Sequence, residues 1–122
     1  MNFEPEQIRE MIPIRSIDFI TAMSNGGLFK LFTASTENRD LNTLDHLWED
    51  LLNQVSKFNC RKSGGHIIIS TYSYKKWSIS MPELYTLIPK ILDHFNCTHS
   101  YGMSSGQSKL YTLNILVEVL PD

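Results

Sequence analysis

The sequence predicts an α+β fold in which two similar β-α-β units form a ferredoxin-like β-α-β-β-α-β sheet with both helices on one face. Two segments have the apolar spacing of amphipathic helices, and β-branched runs lie between them. The tripeptide Phe-Asn-Cys occurs near the end of each of these segments, and the last apolar run alternates as a strand does. The prediction adds an N-terminal helix and an extra hairpin strand.

The N-terminal helix is expected over residues 4–12, because Pro5 suits the first turn of a helix. Residues 16–23 are rich in β-compatible side chains and run into Asn25-Gly26, a pair that favours a tight hairpin turn. The returning strand is predicted at 28–35.

Two longer helices are predicted, at 42–58 and 81–95. Asn42 can cap the first, and Ser80-x-x-Glu83 is a capping box for the second. Pro89 lies inside the second pattern and should bend that helix.

Strands are expected at 66–72 and 74–80, joined as a second hairpin, and at 110–120. The segment 96–109 is rich in serine and glycine and has no period, which predicts a loop. Tyr111 and every second residue after it share one face of the last strand, so that strand should be half-buried.

An internal repeat links the two halves. Phe58-Asn59-Cys60 and Phe95-Asn96-Cys97 are offset by 37 residues (97 minus 60), and a serine and a glycine follow each at matching positions. The predicted halves are about 28–72 and 74–120, within a single domain at 1–122.

Composition limits the function classes. The chain has 42% hydrophobic and 20% charged residues, as ordinary globular domains do, and 11 basic against 13 acidic residues give a net charge of −2. Because nucleic-acid affinity comes largely from phosphate neutralisation, this balance disfavours a nucleic-acid partner. No apolar stretch approaches the length that spans a membrane, and the acidic N-terminus is unlike a signal peptide, so a cytoplasmic location and no membrane partner are expected.

Metal and catalytic sites are not indicated. His94, Cys97 and His99 cluster, and Cys60 could approach them, but the paired spacing of a structural zinc site is missing. We therefore expect free buried thiols, no metal, no catalytic residues and no cofactor, and no enzyme activity. Neither a nucleophile elbow nor a phosphate-binding loop occurs.

Residues 66–72 have the pattern His-Ile-x-Ile-x-Thr-aromatic, which resembles a strand of the bacterial S-adenosylmethionine decarboxylase family. In that family a Glu-Ser pair precedes the histidine, and the serine becomes the pyruvoyl cofactor. Gly64-Gly65 stands there in this sequence, so the resemblance implies a related sheet and not that activity.

Protein binding is the leading functional hypothesis, in the form of an immunity or antitoxin-type inhibitor that occludes a basic toxin or enzyme. The predicted contacts are the acidic residues of the first long helix and the 96–109 segment. The residues are Asp45, Glu49, Asp50, Tyr101 and Met103. A homodimer is a further possibility, in which a second copy covers the exposed face of strand 110–120.

Two alternatives follow from other features. A small-molecule-sensing domain would have its pocket between the sheet and the helix bent at Pro89. A single-stranded RNA-binding module would use an aromatic and basic hairpin, because bases stack on such rings. That hairpin contains Tyr72, Tyr74, Lys75, Lys76 and Trp77.

Overall fold

A computed structural model describes residues 28–120, in which two helices pack on a four-stranded sheet. The elements in chain order are β1 (Leu28–Thr36), α1 (Thr43–Val55), β2 (Ser63–Tyr74), α2 (Met81–His94), β3 (Asn96–Gly106) and β4 (Tyr111–Val119). The α+β class is therefore confirmed. The predicted N-terminal helix at 4–12 and the strand at 16–23 lie outside the described residues.

The sheet is mixed, with strand order β1-β4-β2-β3. β4 pairs antiparallel with both β1 and β2, and β3 pairs parallel with β2. The structure does not confirm the ferredoxin-like tandem repeat. The reason lies at the end of β2, where the chain crosses over through α2 to reach a parallel neighbour.

Two predicted elements are corrected by this crossover. The strand expected at 74–80 is wrong: β2 runs on to Tyr74, residues 75–77 form a 3₁₀ turn, and the chain then enters α2. The loop expected at 96–109 is also wrong, because 96–106 is the strand β3 at the edge of the sheet. Five of its 11 residues are exposed and only two are buried, so a polar composition is compatible with a strand.

Both helices cover the same face of the sheet, as predicted. α1 lies against β1 and β4, and α2 lies beside α1 and against β3. The core between helices and sheet is aliphatic and aromatic, with Leu51, Leu87, Ile91 and Phe95 among its most buried side chains. Within the described residues, neither helix is long and apolar enough to cross a bilayer.

The two helices begin in different ways. Ser80 accepts a hydrogen bond from the Glu83 backbone amide, and the Glu83 carboxylate accepts one from the Ser80 amide, which confirms the predicted capping box. The Asn42 side chain makes no capping hydrogen bond to α1. Instead, the Thr43 hydroxyl donates to the carbonyls of Asn38 and Asp40 and organises the turn before the helix.

β4 is central and is buried on both faces, so the expectation of a half-buried strand is wrong. Tyr111, Leu113, Ile115 and Val117 point into the core under the helices, as the alternation predicted. On the other face, Asn114 accepts a hydrogen bond from Thr33 (2.8 Å) and donates one to Ser70 (3.2 Å). This polar side chain is buried because both amide atoms have partners across the neighbouring strands.

Candidate functional site

An apolar groove of about 320 Å³ lies between α2 and the edge strand β3. Its lining side chains come from one flank of the helix and one face of the strand: Met81, Leu84, Tyr85, Ile88, Pro89, His99 and Tyr101. Tyr85 is 68% exposed, and Met81 is 47% exposed. Exposed apolar side chains that are grouped around a groove are typical of a binding surface.

The local sequence explains why the groove forms. Leu84, Leu87 and Ile91 are the α2 residues that reach the core, and Tyr85, Ile88 and Pro89 lie next to them around the helix. The apolar stripe of α2 is therefore wider than its contact with the sheet requires. Pro89 has no N–H, so the Tyr85 carbonyl lacks the usual helical hydrogen bond from that position.

β3 supplies the other wall through alternate residues. His99 and Tyr101 line the groove, and Met103, 42% exposed, follows on the same face. The Tyr101 hydroxyl shares a 2.7 Å hydrogen bond with the Thr71 hydroxyl on β2. Burial raises the pKa of the Tyr101 phenol, and the bond to Thr71 lowers it in part. The groove therefore has polar atoms at one wall and no carboxylate in its lining.

The outer edge of β3 is the second part of the site. In the described sheet, β3 has a neighbour, β2, on one side only. Thr98, His99, Met103 and Ser105 along this strand are exposed. A strand in this position presents main-chain donors and acceptors that another extended segment can pair with.

A basic depression of about 470 Å³ lies at the carboxyl end of β2, lined by Tyr74, Lys75, Lys76 and Gln107. Tyr74 pairs with Gly106, so this depression adjoins the end of β3. Of the residues in the RNA hypothesis, Tyr72 is half-buried and its hydroxyl donates to the Ser108 carbonyl.

Trp77 differs from the tyrosines of that hypothesis, because it is 59% exposed. The Arg39 guanidinium lies 5.6 Å from its ring centroid. The structure thus brings the two lysines together but offers one exposed ring in this segment, where a stacking platform needs several.

The acidic residues predicted to bind a partner lie on a different surface from Tyr101 and Met103. Asp45 of α1 pairs with Lys90 of α2 at 2.7 Å, which neutralises part of its charge. Glu49 and Asp50 are exposed on α1. Because α2 lies between α1 and β3, the five predicted contact residues fall into two groups.

A second depression, of about 210 Å³, lies where the amino ends of the two helices meet, beside Glu83 and Asp45. Arg39 donates to both carboxylate oxygens of Glu83, at 2.7 and 2.8 Å. These hydrogen bonds are the main reason that the pKa of Glu83 falls to about 2. The pair holds the β1–α1 connection on the start of α2, and Arg39 was not singled out by the sequence patterns.

The cysteines and histidines do not form a cluster. Cys60 is a buried free thiol and Cys97 a half-buried one, and burial raises the pKa of each. His94 stacks edge-to-face against Trp48 and Phe95, and burial lowers its pKa. Across residues 28–120, no three histidine, cysteine or acidic side chains are grouped as a metal site.

Sequence reasoning located this groove in part. Pro89 and Tyr101 were singled out, but Met81, Tyr85 and His99 were not assigned to a common surface. A usable signal existed: the α2 pattern has more apolar positions than one helix face can bury. The sequence did not predict the groove because its other wall, β3, has the composition of a loop.

No family model matches this chain, and no curated protein matches it. Several solved structures share the fold. One is an FtsZ dimer from M. jannaschii, with a TM-score of 0.69 at 12% identity, covering 86% of this chain and 31% of that one. TubZ from Bacillus thuringiensis serovar israelensis, solved as GDP-form protofilaments, has a TM-score of 0.68 at 10% identity and corresponding coverages of 86% and 29%. CetZ2 from Haloferax volcanii, a GTPγS-bound protofilament, has a TM-score of 0.62 at 13% identity and coverages of 93% and 36%. The chain spans about a third of each of these proteins.

Proposed function

We propose that this protein is a non-catalytic protein-binding module that engages its partner through the α2–β3 groove. The observation that carries the proposal is the apolar groove with Met81 and Tyr85 exposed in its lining. Met103 is also exposed and lies further along the groove-lining face of β3. Aromatic and methionine side chains are enriched at protein interfaces. The similar structures described above as a dimer and as protofilaments give further support, since the fold occurs there in assemblies of protein subunits.

The test is a selection of random twelve-residue peptides on phage against the wild-type protein. Tyr85→Asp places a charge on the rim of the groove and should weaken binding of the selected peptides at least tenfold. Leu41→Asp is the matched control, because Leu41 is also apolar and exposed but lies outside the groove. Met81→Asp is a second groove variant. An acidic residue in the first turn suits the helix dipole, so this variant is expected to stay folded, which circular dichroism would check. Equal affinity for the wild type and both groove variants would refute the proposal.

An immunity or antitoxin-type inhibitor is a more specific form of this proposal. In that case exposed Glu49 and Asp50 would steer a basic partner toward the module, and their reversal to lysine should slow association. Self-association is the other specific form, and sedimentation of the purified protein at several concentrations would detect it.

Small-molecule binding is the second candidate, because the volume of the groove is at the lower end of ordinary ligand pockets. The Tyr101 hydroxyl would orient a ligand whose apolar part contacts Ile88 and Pro89. Native mass spectrometry of the purified protein would show a bound compound of defined mass, released by Tyr85→Asp. An unliganded mass together with groove-dependent peptide binding favours the protein partner.

A further inference from the structure

We infer that the partner binds as an extended segment that adds to the edge of β3, with apolar side chains over the groove and acidic residues beside the lysines at the end of that strand. This inference rests on the proposed function and defines the shape and charge of the partner. It combines three features on or next to β3: an edge without a neighbouring strand among residues 28–120, the apolar groove and the basic depression.

In the part of the chain that the structure describes, the edge of β3 lacks the features that usually prevent strand addition. Natural edge strands are blunted by lysine, proline, inward charges or bulges. β3 contains no lysine, arginine, proline or acidic residue, and its pairing with β2 is regular from Thr98 to Gly106. β1, at the other end of the described sheet, carries Lys30 within the strand. This strand of 11 residues offers about 36 Å of backbone for pairing.

The groove defines the side-chain pattern of the added strand. His99, Tyr101 and Met103 point to the helix side of β3. In a strand paired beside them, every second residue points to that same side. Those residues would extend over the rim formed by Tyr85 and Pro89, so they should be apolar, and the alternate ones should be polar.

The charges define which end of the added strand is acidic. Lys75 and Lys76 are exposed at the end of β2, next to the Tyr74–Gly106 pair, and exposed Lys109 follows in the turn after β3. Glu83 lies near the start of α2, and its carboxylate is paired with Arg39, so it does not offset the charge of these lysines.

The opposite end of β3 is different, because Asp93 lies three residues before its start. Lys62 is also exposed there, its carbonyl accepting a hydrogen bond from the Asn96 amide. Arg61 pairs with Glu118, so this end has mixed charge. Acidic residues on the partner are therefore complementary to the Lys75–Lys76 end.

A peptide fits these features better than a single-stranded RNA. An RNA would use the lysines, but it would leave the apolar groove and the main-chain groups of β3 without partners, and one exposed ring, Trp77, is available for stacking in the basic segment. RNA is therefore an outcome of the test and not part of the proposal.

The experiment measures binding of labelled probes to the full 122-residue chain by fluorescence anisotropy. The main probe is a ten-residue peptide in which valine and threonine alternate, with three aspartates at one end; two versions place the aspartates at the amino or the carboxyl end. In the control peptides serines or lysines replace the aspartates, and oligo(U) is the RNA probe. We expect one aspartate version to bind about tenfold more tightly than the serine version, since exposed charge pairs each contribute modestly.

Two protein variants test the contacts, and hydrogen exchange tests the mode. Lys75→Glu with Lys76→Glu should reverse the preference from the aspartate to the lysine peptide, whereas Lys57→Glu, an exposed lysine after α1, should not. Binding should slow exchange of amides within 98–106, because added-strand pairing protects outward N–H groups. Circular dichroism of each variant checks that it is folded.

The inference is overturned if the serine and aspartate peptides bind equally, if β3 amides gain no protection, or if only oligo(U) binds. These failures are distinct from failure of the proposed function. Phage-selected peptides that need Tyr85 but do not protect β3 would leave groove binding intact and refute strand addition. If Tyr85→Asp affects no peptide, both proposals are wrong.

Discussion

The Glu83→Gln substitution removes the charge of the Arg39–Glu83 pair while leaving the capping box of α2 in place, because glutamine also serves at this position of the motif. The side chains of Arg39 and Glu83 are 7% and 15% exposed, so this pair is much better shielded than a surface ion pair. The pKa of Glu83 is about 2, against an ordinary value of 4.5. At 1.36 kcal/mol per pKa unit the difference corresponds to about 3 kcal/mol, and partial solvent screening reduces the expected loss of unfolding free energy to about 2 kcal/mol at pH 7.

The pH dependence follows from the direction of this shift. Because the pKa is lowered on folding, the stabilisation by Glu83 is complete above about pH 4.5 and is lost as the pH falls toward 2. The gap between wild type and Glu83→Gln should therefore close over this interval. The other carboxylates are present in both proteins, and their titration cancels in the difference.

Urea unfolding of both proteins at pH 7 and pH 2.5, followed by circular dichroism, measures this gap. Ser80→Ala is the comparison variant: it removes the side-chain cap and a 2.9 Å hydrogen bond to the Glu83 carboxylate but keeps the ion pair. Because this hydrogen bond is a smaller cause of the lowered Glu83 pKa than Arg39, most of the expected cost of about 1 kcal/mol should remain at pH 2.5. A gap between wild type and Glu83→Gln that is the same at pH 7 and pH 2.5, or absent at pH 7, would show that the Arg39–Glu83 pair does not stabilise the fold in this way.

Two further predictions concern the segment before β2 and the thiols. Gly64 and Gly65 both have φ of +74°, but a Cβ added at Gly65 would lie 2.9 Å from Cδ of Arg61, whose Nε donates to Glu118. Thermal unfolding should therefore show Gly65→Ala to be less stable than Gly64→Ala by about 1 kcal/mol; equal stability would mean that Arg61 moves aside freely. Burial raises the pKa of both thiols, so both should react slowly with a disulfide reagent at pH 7.5 in the native protein. Half-buried Cys97 should react before buried Cys60, and both should react faster in guanidinium. Immediate reaction of Cys60 in the native protein would contradict its buried position.

The elements that the sequence predicts well are those whose side chains are patterned by burial on one face. α1 and α2 have helical apolar stripes, and Ser80-x-x-Glu83 marks the start of α2 to the residue. β4 alternates because its odd-numbered residues face the helices. These patterns are local, so they can be read from the chain.

β3 could not be predicted in this way. It is an edge strand with Asn96, Thr98 and Ser105 exposed, and its sequence has the composition of a loop. Without β3, residues 66–72 and 74–80 were expected to pair as a hairpin, whereas the structure has a parallel pair, β2 and β3, joined through α2. The groove could not be predicted from the sequence for the same reason, since one of its walls is β3.

The position of β4 in the sheet has a consequence for synthesis. β1 and β2 do not pair with each other; each pairs with β4, and Leu28 at the start of β1 lies opposite Val119. During translation, β1, α1, β2, α2 and β3 all leave the ribosome before the strand that joins β1 to the rest of the sheet. Until β4 emerges, β1 and β2 each have an unpaired strand edge, and these edges can pair with other chains. Folding of this sheet should therefore be completed late, after β4 has emerged, through contacts between residues that are far apart in the sequence.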